Sequence, residues 1–141
     1  MLGGWTLTDY FEPMDGDDEN ERAPIHSGDE ARAVLTRLAG LEPRIAELEG
    51  PAGQVLQIGI GGPWAGFARF DKERWHGLER ERMCMALPRV ASAPGRVEFL
   101  RWAQPCTLGP DALFPAAEVV ELVAEFVRTG SFPGWVGWRQ C

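Results

Sequence analysis

Apolar positions recur along this chain with two periods, and the changes from one to the other mark out its elements. Residues 5–11, Trp-Thr-Leu-Thr-Asp-Tyr-Phe, are rich in aromatic and β-branched types and predict a first strand. Residues 12–26 carry acids with Pro13, Gly16 and Pro24, a composition that predicts a long loop. Ser27 followed by Glu30 has the spacing of a capping box, in which side chains satisfy orphan N–H groups at a helix start. Ala31, Val34, Leu35 and Leu38 then recur at helical spacing up to Gly40, predicting an amphipathic helix over 28–39. Arg44–Glu49 and Val55–Ile60 flank the turn sequence Gly50-Pro51-Ala52-Gly53, and Leu56, Ile58 and Ile60 alternate with Gln57 and Gly59. That period of two predicts a hairpin with one buried face.

Gly61-Gly62-Pro63 ends this run, and Trp64–Phe70 reads as the next strand. Residues 71–82 are highly charged and read as an exposed connection, with Met83–Leu87 and Val97–Trp102 as further strands. Pro115 suits a first helical position. Val119, Leu122, Val123 and Phe126 form the apolar stripe of a second helix, opposite Glu118, Glu121, Glu125 and Arg128. Gly130 and Pro133 stop it, and Trp135–Trp138 reads as a last strand. The predicted fold is α+β: a mostly antiparallel sheet of about six strands packed by two amphipathic helices, one domain over 1–141.

Charge changes this picture at one place. Of 21 acids, nine lie between Asp9 and Glu30 against the single base Arg22, while the rest of the chain holds twelve acids and thirteen bases. A near-neutral body therefore carries one acidic segment. Nucleic-acid binding is disfavoured, because phosphates call for clustered Lys and Arg. No run approaches the roughly 18 apolar residues of a membrane helix. The start of the chain lacks the basic and apolar regions of a signal peptide, so a cytoplasmic location is expected. Three widely spaced cysteines, Cys84, Cys106 and Cys141, are expected to be free thiols.

Templates for chemistry fail on named residues. Gly59-Ile60-Gly61-Gly62-Pro63-Trp64 has Trp64 where a dinucleotide fingerprint needs glycine, and no Gly-Lys-Ser/Thr follows. Only His26 and His76 could act as imidazole ligands, without C-x-x-C or paired-His spacing, so no metal or other cofactor is expected. Ser27 is taken as a cap, and Cys106 is expected to be a buried, inert thiol. Acids in an irregular segment lack the rigid, desolvated setting that tunes catalytic carboxylates. An enzyme is not expected, and binding remains.

Residues 113–138 end a helix on Glu125-Phe126, then Thr129-Gly130, Pro133 and Trp138, while Leu56-Gln57-Ile58-Gly59-Ile60-Gly61 forms a second motif upstream. Both resemble the deaminase-associated immunity family of bacterial polymorphic toxin systems (immunity protein family 1). The resemblance implies a protein that binds and neutralises a cognate toxin, a nucleic-acid deaminase, by occluding its active site or substrate groove. The partner would be the toxin domain encoded beside it. Neither the 12–26 stretch nor the 71–82 connection matches the family pattern. Candidate toxin-binding residues are the acids Asp15, Asp17, Asp18, Glu19 and Glu21, which could compete for a basic groove, with Trp64 and Trp75 as aromatic anchors. The alternative is a small ligand-binding or enzymatic α+β domain with an aromatic pocket under Trp64, Trp102 and Trp135.

Overall fold

The computed structural model describes residues 4–10, 21–75, 78–101 and 104–140. Its elements are β1 (Trp5–Asp9), β2 (Glu21–Ile25), α1 (Gly28–Ala39), β3 (Arg44–Glu49), β4 (Val55–Ile60), β5 (Trp64–Trp75), β6 (Leu78–Leu87), β7 (Val97–Arg101), β8 (Gln104–Leu108), β9 (Phe114–Pro115), α2 (Ala116–Thr129) and β10 (Gly137–Gln140). The main sheet runs β10-β6-β5-β4-β3-β1-β2, with the β7–β8 hairpin attached to β3 and the short β9 attached to β5. All pairings are antiparallel except the single parallel contact of Arg44 in β3 with Leu100 in β7. The α+β class, the antiparallel sheet and the two helices stand as predicted; the strand number is about ten and not six.

Alternation along the strands builds two cores. Leu7, Ala46, Leu48, Leu56, Ile58, Ile60, Ala65, Phe67 and Ala86 face the helices and meet Leu35 and Leu38 of α1 and Val119, Leu122, Val123 and Phe126 of α2. Burial of each large side chain here contributes about 1.5–3 kcal/mol. On the opposite face Ile45, Phe99, Leu108 and Leu113 form a second cluster, with Trp64 and Met85 packed beside it. Gly59 and Gly66 stand opposite each other on β4 and β5 and make room for this cluster. A Cβ on Gly59 would lie 2.9 Å from the Phe99 ring, and one on Gly66 would lie 2.5 Å from Leu108 Cδ1 and 2.8 Å from the Ala112 carbonyl oxygen.

The helix ends follow their sequence signals. Ser27 Oγ accepts from the Glu30 N–H at 3.1 Å, and the Glu30 carboxylate accepts from the His26 N–H at 2.6 Å, one residue earlier than the usual return bond. Ser27→Ala should lower stability by about 1 kcal/mol in denaturant unfolding; an unchanged midpoint would count against the cap. Helix α2 starts at Ala116, so Pro115 is its N-cap residue and not its first helical residue. Gly130 ends α2 with φ +82°, its N–H donating to the Phe126 carbonyl at 2.7 Å.

Several boundaries move. The first strand ends at Asp9, and β7 is described over Val97–Arg101; Phe11 and Trp102 lie outside the described residues. Residues 21–25, read as loop, form the edge strand β2, where Pro24 is tolerated because an edge strand leaves one side without a ladder. Strand β8 was not anticipated, since Gln104-Pro105-Cys106-Thr107 shows no alternation that marks it. The last strand is Gly137–Gln140 and not 135–138, because Val136 closes a turn onto the Pro133 carbonyl at 3.2 Å. Cys106 is exposed, contrary to expectation, while Cys84 is buried; both are free.

The largest correction concerns residues 71–82. Residues 71–75 and 78–82 are not a connection but the paired continuation of β5 and β6. The register sets Asp71 opposite Arg82, Lys72 opposite Glu81, Glu73 opposite Arg80 and Arg74 opposite Glu79, so residues of opposite charge are backbone partners at four successive positions. Apolar periodicity cannot reveal a strand pair of this kind. β4 reaches only Phe70, and β10 reaches only Cys84, so the two strands continue as an arm beyond the body of the sheet.

Candidate functional site

Two features join the sheet at opposite ends. The first is the acidic stretch. β1 and β2 pair with Asp9 opposite Glu21, so the chain leaves the sheet beside Asp9 and returns at Glu21 at one end of an edge hairpin. Asp15, Asp17, Asp18 and Glu19 lie outside the described residues. Glu21 opens β2. Asp9 does not belong with the others: its Oδ2 accepts from Arg44 Nη1 at 2.9 Å, and Arg44 also donates through Nε to the Glu42 carbonyl at 2.9 Å. Both side chains are largely buried, at 9% and 14% relative exposure, so this pair anchors the hairpin base. Asp29 pairs with Arg32, and Glu30 is part of the cap. The acids remaining in the segment, Glu12, Asp15, Asp17, Asp18, Glu19 and Glu21, fall within ten residues beside Arg22.

The second feature is the arm of β5 and β6. Its charges balance, four acids against four bases from Asp71 to Arg82. It closes on Trp75 opposite Leu78. Asp9 aligns through Ala46 and Ile58 with Phe67, and Trp75 lies eight residues farther along β5, toward the other end of the sheet. At about 3.3 Å per residue and 4.8 Å per strand, the acidic exit and Trp75 are roughly 30 Å apart. Trp64 starts β5 at the same end as the acidic exit, half-buried beside the second cluster. Of the candidates within the described residues, Glu21 and Trp64 therefore lie at one end of the sheet and Trp75 toward the other.

Elsewhere several surface charges are paired. Arg32 bridges α1 to α2 through Glu121 at 2.7 Å, and that bond, with its bond to Asp29, raises its pKa further. Arg128 holds the Glu125 carboxyl below the usual range, and Arg139, bound to Asp111, does the same for that carboxyl. An open groove of about 410 Å³ is lined by Pro88, Arg89, Val90, Pro115, Glu118 and Trp135 among others, with the Arg89 guanidinium 4.8 Å from the Trp135 ring. Trp64 does not line it, and Trp102 lies outside the described residues, so the three-tryptophan pocket is not assembled by the described residues. Among the described residues, no group of three or more His, Cys, Asp or Glu is placed to hold a metal ion. No helix among them is long and apolar enough to cross a membrane.

The apolar members of the family motifs pack into the core: Leu56, Ile58, Ile60 and Phe126 are buried in it, and Trp138 is half-buried against it. Phe126 stacks on Phe132 with ring centroids 4.4 Å apart, and Phe132 lies 5.2 Å from Phe67 and 5.4 Å from Trp138. Thr129 Oγ1 donates to the Glu125 carbonyl at 2.9 Å at the helix end. The model of the family described as immunity protein Imm1 matches residues 19–140. The chain belongs to that family. No curated protein and no solved structure matches it.

An immunity protein has a protein toxin as its partner. The Imm1 match opens inside the acidic stretch, so β2 to β10 and both helices fall within the family region, and β1 and most of the acids precede it. Sequence reasoning overlooked the arm as a paired run of charged residues. Its signal was present: alternating charges over 71–74 and again over 79–82, mirrored about His76-Gly77.

Proposed function

We propose that this immunity protein neutralises a nucleic-acid deaminase toxin by covering its active site or substrate groove, with the acidic stretch as the leading contact. The observation that carries this reading is the cluster of Glu12, Asp15, Asp17, Asp18, Glu19 and Glu21 on an otherwise near-neutral chain. A toxin that acts on nucleic acid needs a basic groove, and six closely spaced carboxylates are the complement of such a groove. Complementary fields raise association rates by roughly ten- to a thousand-fold and lose that effect in salt. Trp64, on the same end of the sheet, and Trp75, at the far end of β5, serve as aromatic anchors. An interface of standard size covers about 800 Å² per partner, or about 30 Å across, which spans both ends.

Co-expression with the toxin domain encoded beside this chain should rescue growth, and the two should co-purify. Replacing Asp15, Asp17 and Asp18 by Asn and Glu19 and Glu21 by Gln together should slow association at least tenfold at low salt. It should also flatten the salt dependence. Stopped-flow rates that match the parent at every ionic strength would remove the acidic stretch from the interface. The deaminase assignment has its own check: purified chain should abolish release of ammonia from single-stranded nucleic acid by the toxin domain.

A further inference from the structure

Among the described residues, the arm carries a strand edge with no neighbour. Val55, the first residue of β4, stands opposite Phe70, and among the described residues no strand pairs with Asp71–Trp75 on the side away from β6. Backbone donors and acceptors on that side form a ladder ready for one more strand, in line with β4 and beyond the Gly50–Gly53 turn. A two-stranded extension of this kind is only marginally stable in water, and a third strand changes that. We propose that an extended segment of the cognate toxin adds to this edge, antiparallel to β5, and completes the arm as a three-stranded sheet. The inference rests on the toxin-binding reading above and names a second contact for it.

The charge pattern selects the occupant. Asp71 and Glu73 fall on one face of the arm, and Lys72 and Arg74 on the other. A strand with bases opposite Asp71 and Glu73 and acids opposite Lys72 and Arg74 repeats the complementarity that β6 already shows from its own side. A second copy of this chain does not satisfy it. A two-fold axis normal to the sheet sets each residue opposite itself or one an even number of places away. Lys72 would then meet Lys72 or Arg74, and Glu73 would meet Glu73 or Asp71. Every pair is like-charged, so the edge repels its own copy and admits a partner of alternating charge. The apolar row of Val55, Phe70 and Met83, all half-buried, lies at one end of the edge, and Trp75 ends the other. Together they bracket a segment of about five residues with apolar flanks.

Hydrogen–deuterium exchange of the full chain, alone and with the toxin domain encoded beside it, tests the proposal directly. Alternate amides within Asp71–Trp75 should slow at least tenfold in the complex. The quadruple variant Asp71→Arg, Glu73→Arg, Arg80→Glu, Arg82→Asp keeps every pair between β5 and β6 opposite in sign while inverting one face of the outer edge. It should keep the parent's thermal midpoint and dissociate from the toxin at least tenfold faster. Unchanged exchange over 71–75 in a formed complex, or an unchanged dissociation rate, overturns the strand-addition proposal and leaves toxin binding intact. Absence of any complex with the parent chain overturns the toxin-binding reading itself. Concentration-dependent protection of 71–75 without toxin assigns the edge to a second copy and also overturns the proposal.

Discussion

Phe67→Ala should destabilise the protein by about 3–5 kcal/mol, the largest effect expected of any single substitution considered. Phe67 is 1% exposed, and its ring meets Phe114 at 5.6 Å, Phe132 at 5.2 Å and Trp138 at 5.9 Å. It therefore ties the centre of the sheet to β9, to the chain after α2 and to β10. Truncation removes the transfer free energy of the ring and leaves a cavity between rigid neighbours that cannot all collapse into it. For a domain of this size the thermal midpoint should fall by roughly 10–15 °C. Well below that midpoint, the folded variant should bind its toxin as the parent does, because the ring has no exposed portion to contribute. A large loss of affinity in demonstrably folded protein would show that the aromatic cluster around Phe67 shapes the interface as well as the core.

Gly59→Ala and Gly66→Ala should each lower stability by about 1–3 kcal/mol, with Gly66 the worse of the two. The obstacles differ in kind. At Gly59 the added methyl group meets the Phe99 ring, a side chain that can shift, whereas at Gly66 it also meets the backbone carbonyl of Ala112 at 2.8 Å. Phe99→Leu should therefore partly suppress the cost of Gly59→Ala and leave that of Gly66→Ala unchanged. In a double-mutant cycle the Gly59–Phe99 coupling should reach about 1 kcal/mol or more, and the Gly66–Phe99 coupling should be near zero. Urea unfolding of the three single and two double variants measures both. Additive behaviour of Gly59→Ala and Phe99→Leu would show that the glycine is not there to receive the ring.

These two results bear on what could be read from residues alone. Gly59 was visible as part of the Leu-x-Ile-Gly-Ile-Gly run, and the turn chemistry around it was visible too. Its purpose was not, because the ring that needs the space belongs to β7, forty residues later. The same holds for the candidate site. The acids between Glu12 and Glu21 could be counted in advance, but the withdrawal of Asp9 into a buried pair with Arg44 could not. Trp64 and Trp75 share one strand, yet only the register shows that they stand at its two ends.

What the sequence determined by itself was local. The Ser27 cap, the two apolar stripes, the stop at Gly130 and the alternation in β4 follow from interactions within four residues, and each stands in the structure. The composition alone also established that one segment carries the excess of acid. Strand pairing was decided only by the tertiary structure. The edge strand β2, the hairpin β7–β8 and the charged arm have weak or misleading local patterns, and each exists because another strand supplies the missing hydrogen bonds or the opposite charge. A helix satisfies its own backbone, so its sequence can announce it; a strand needs a partner distant in the chain, and its sequence states only half of the pair.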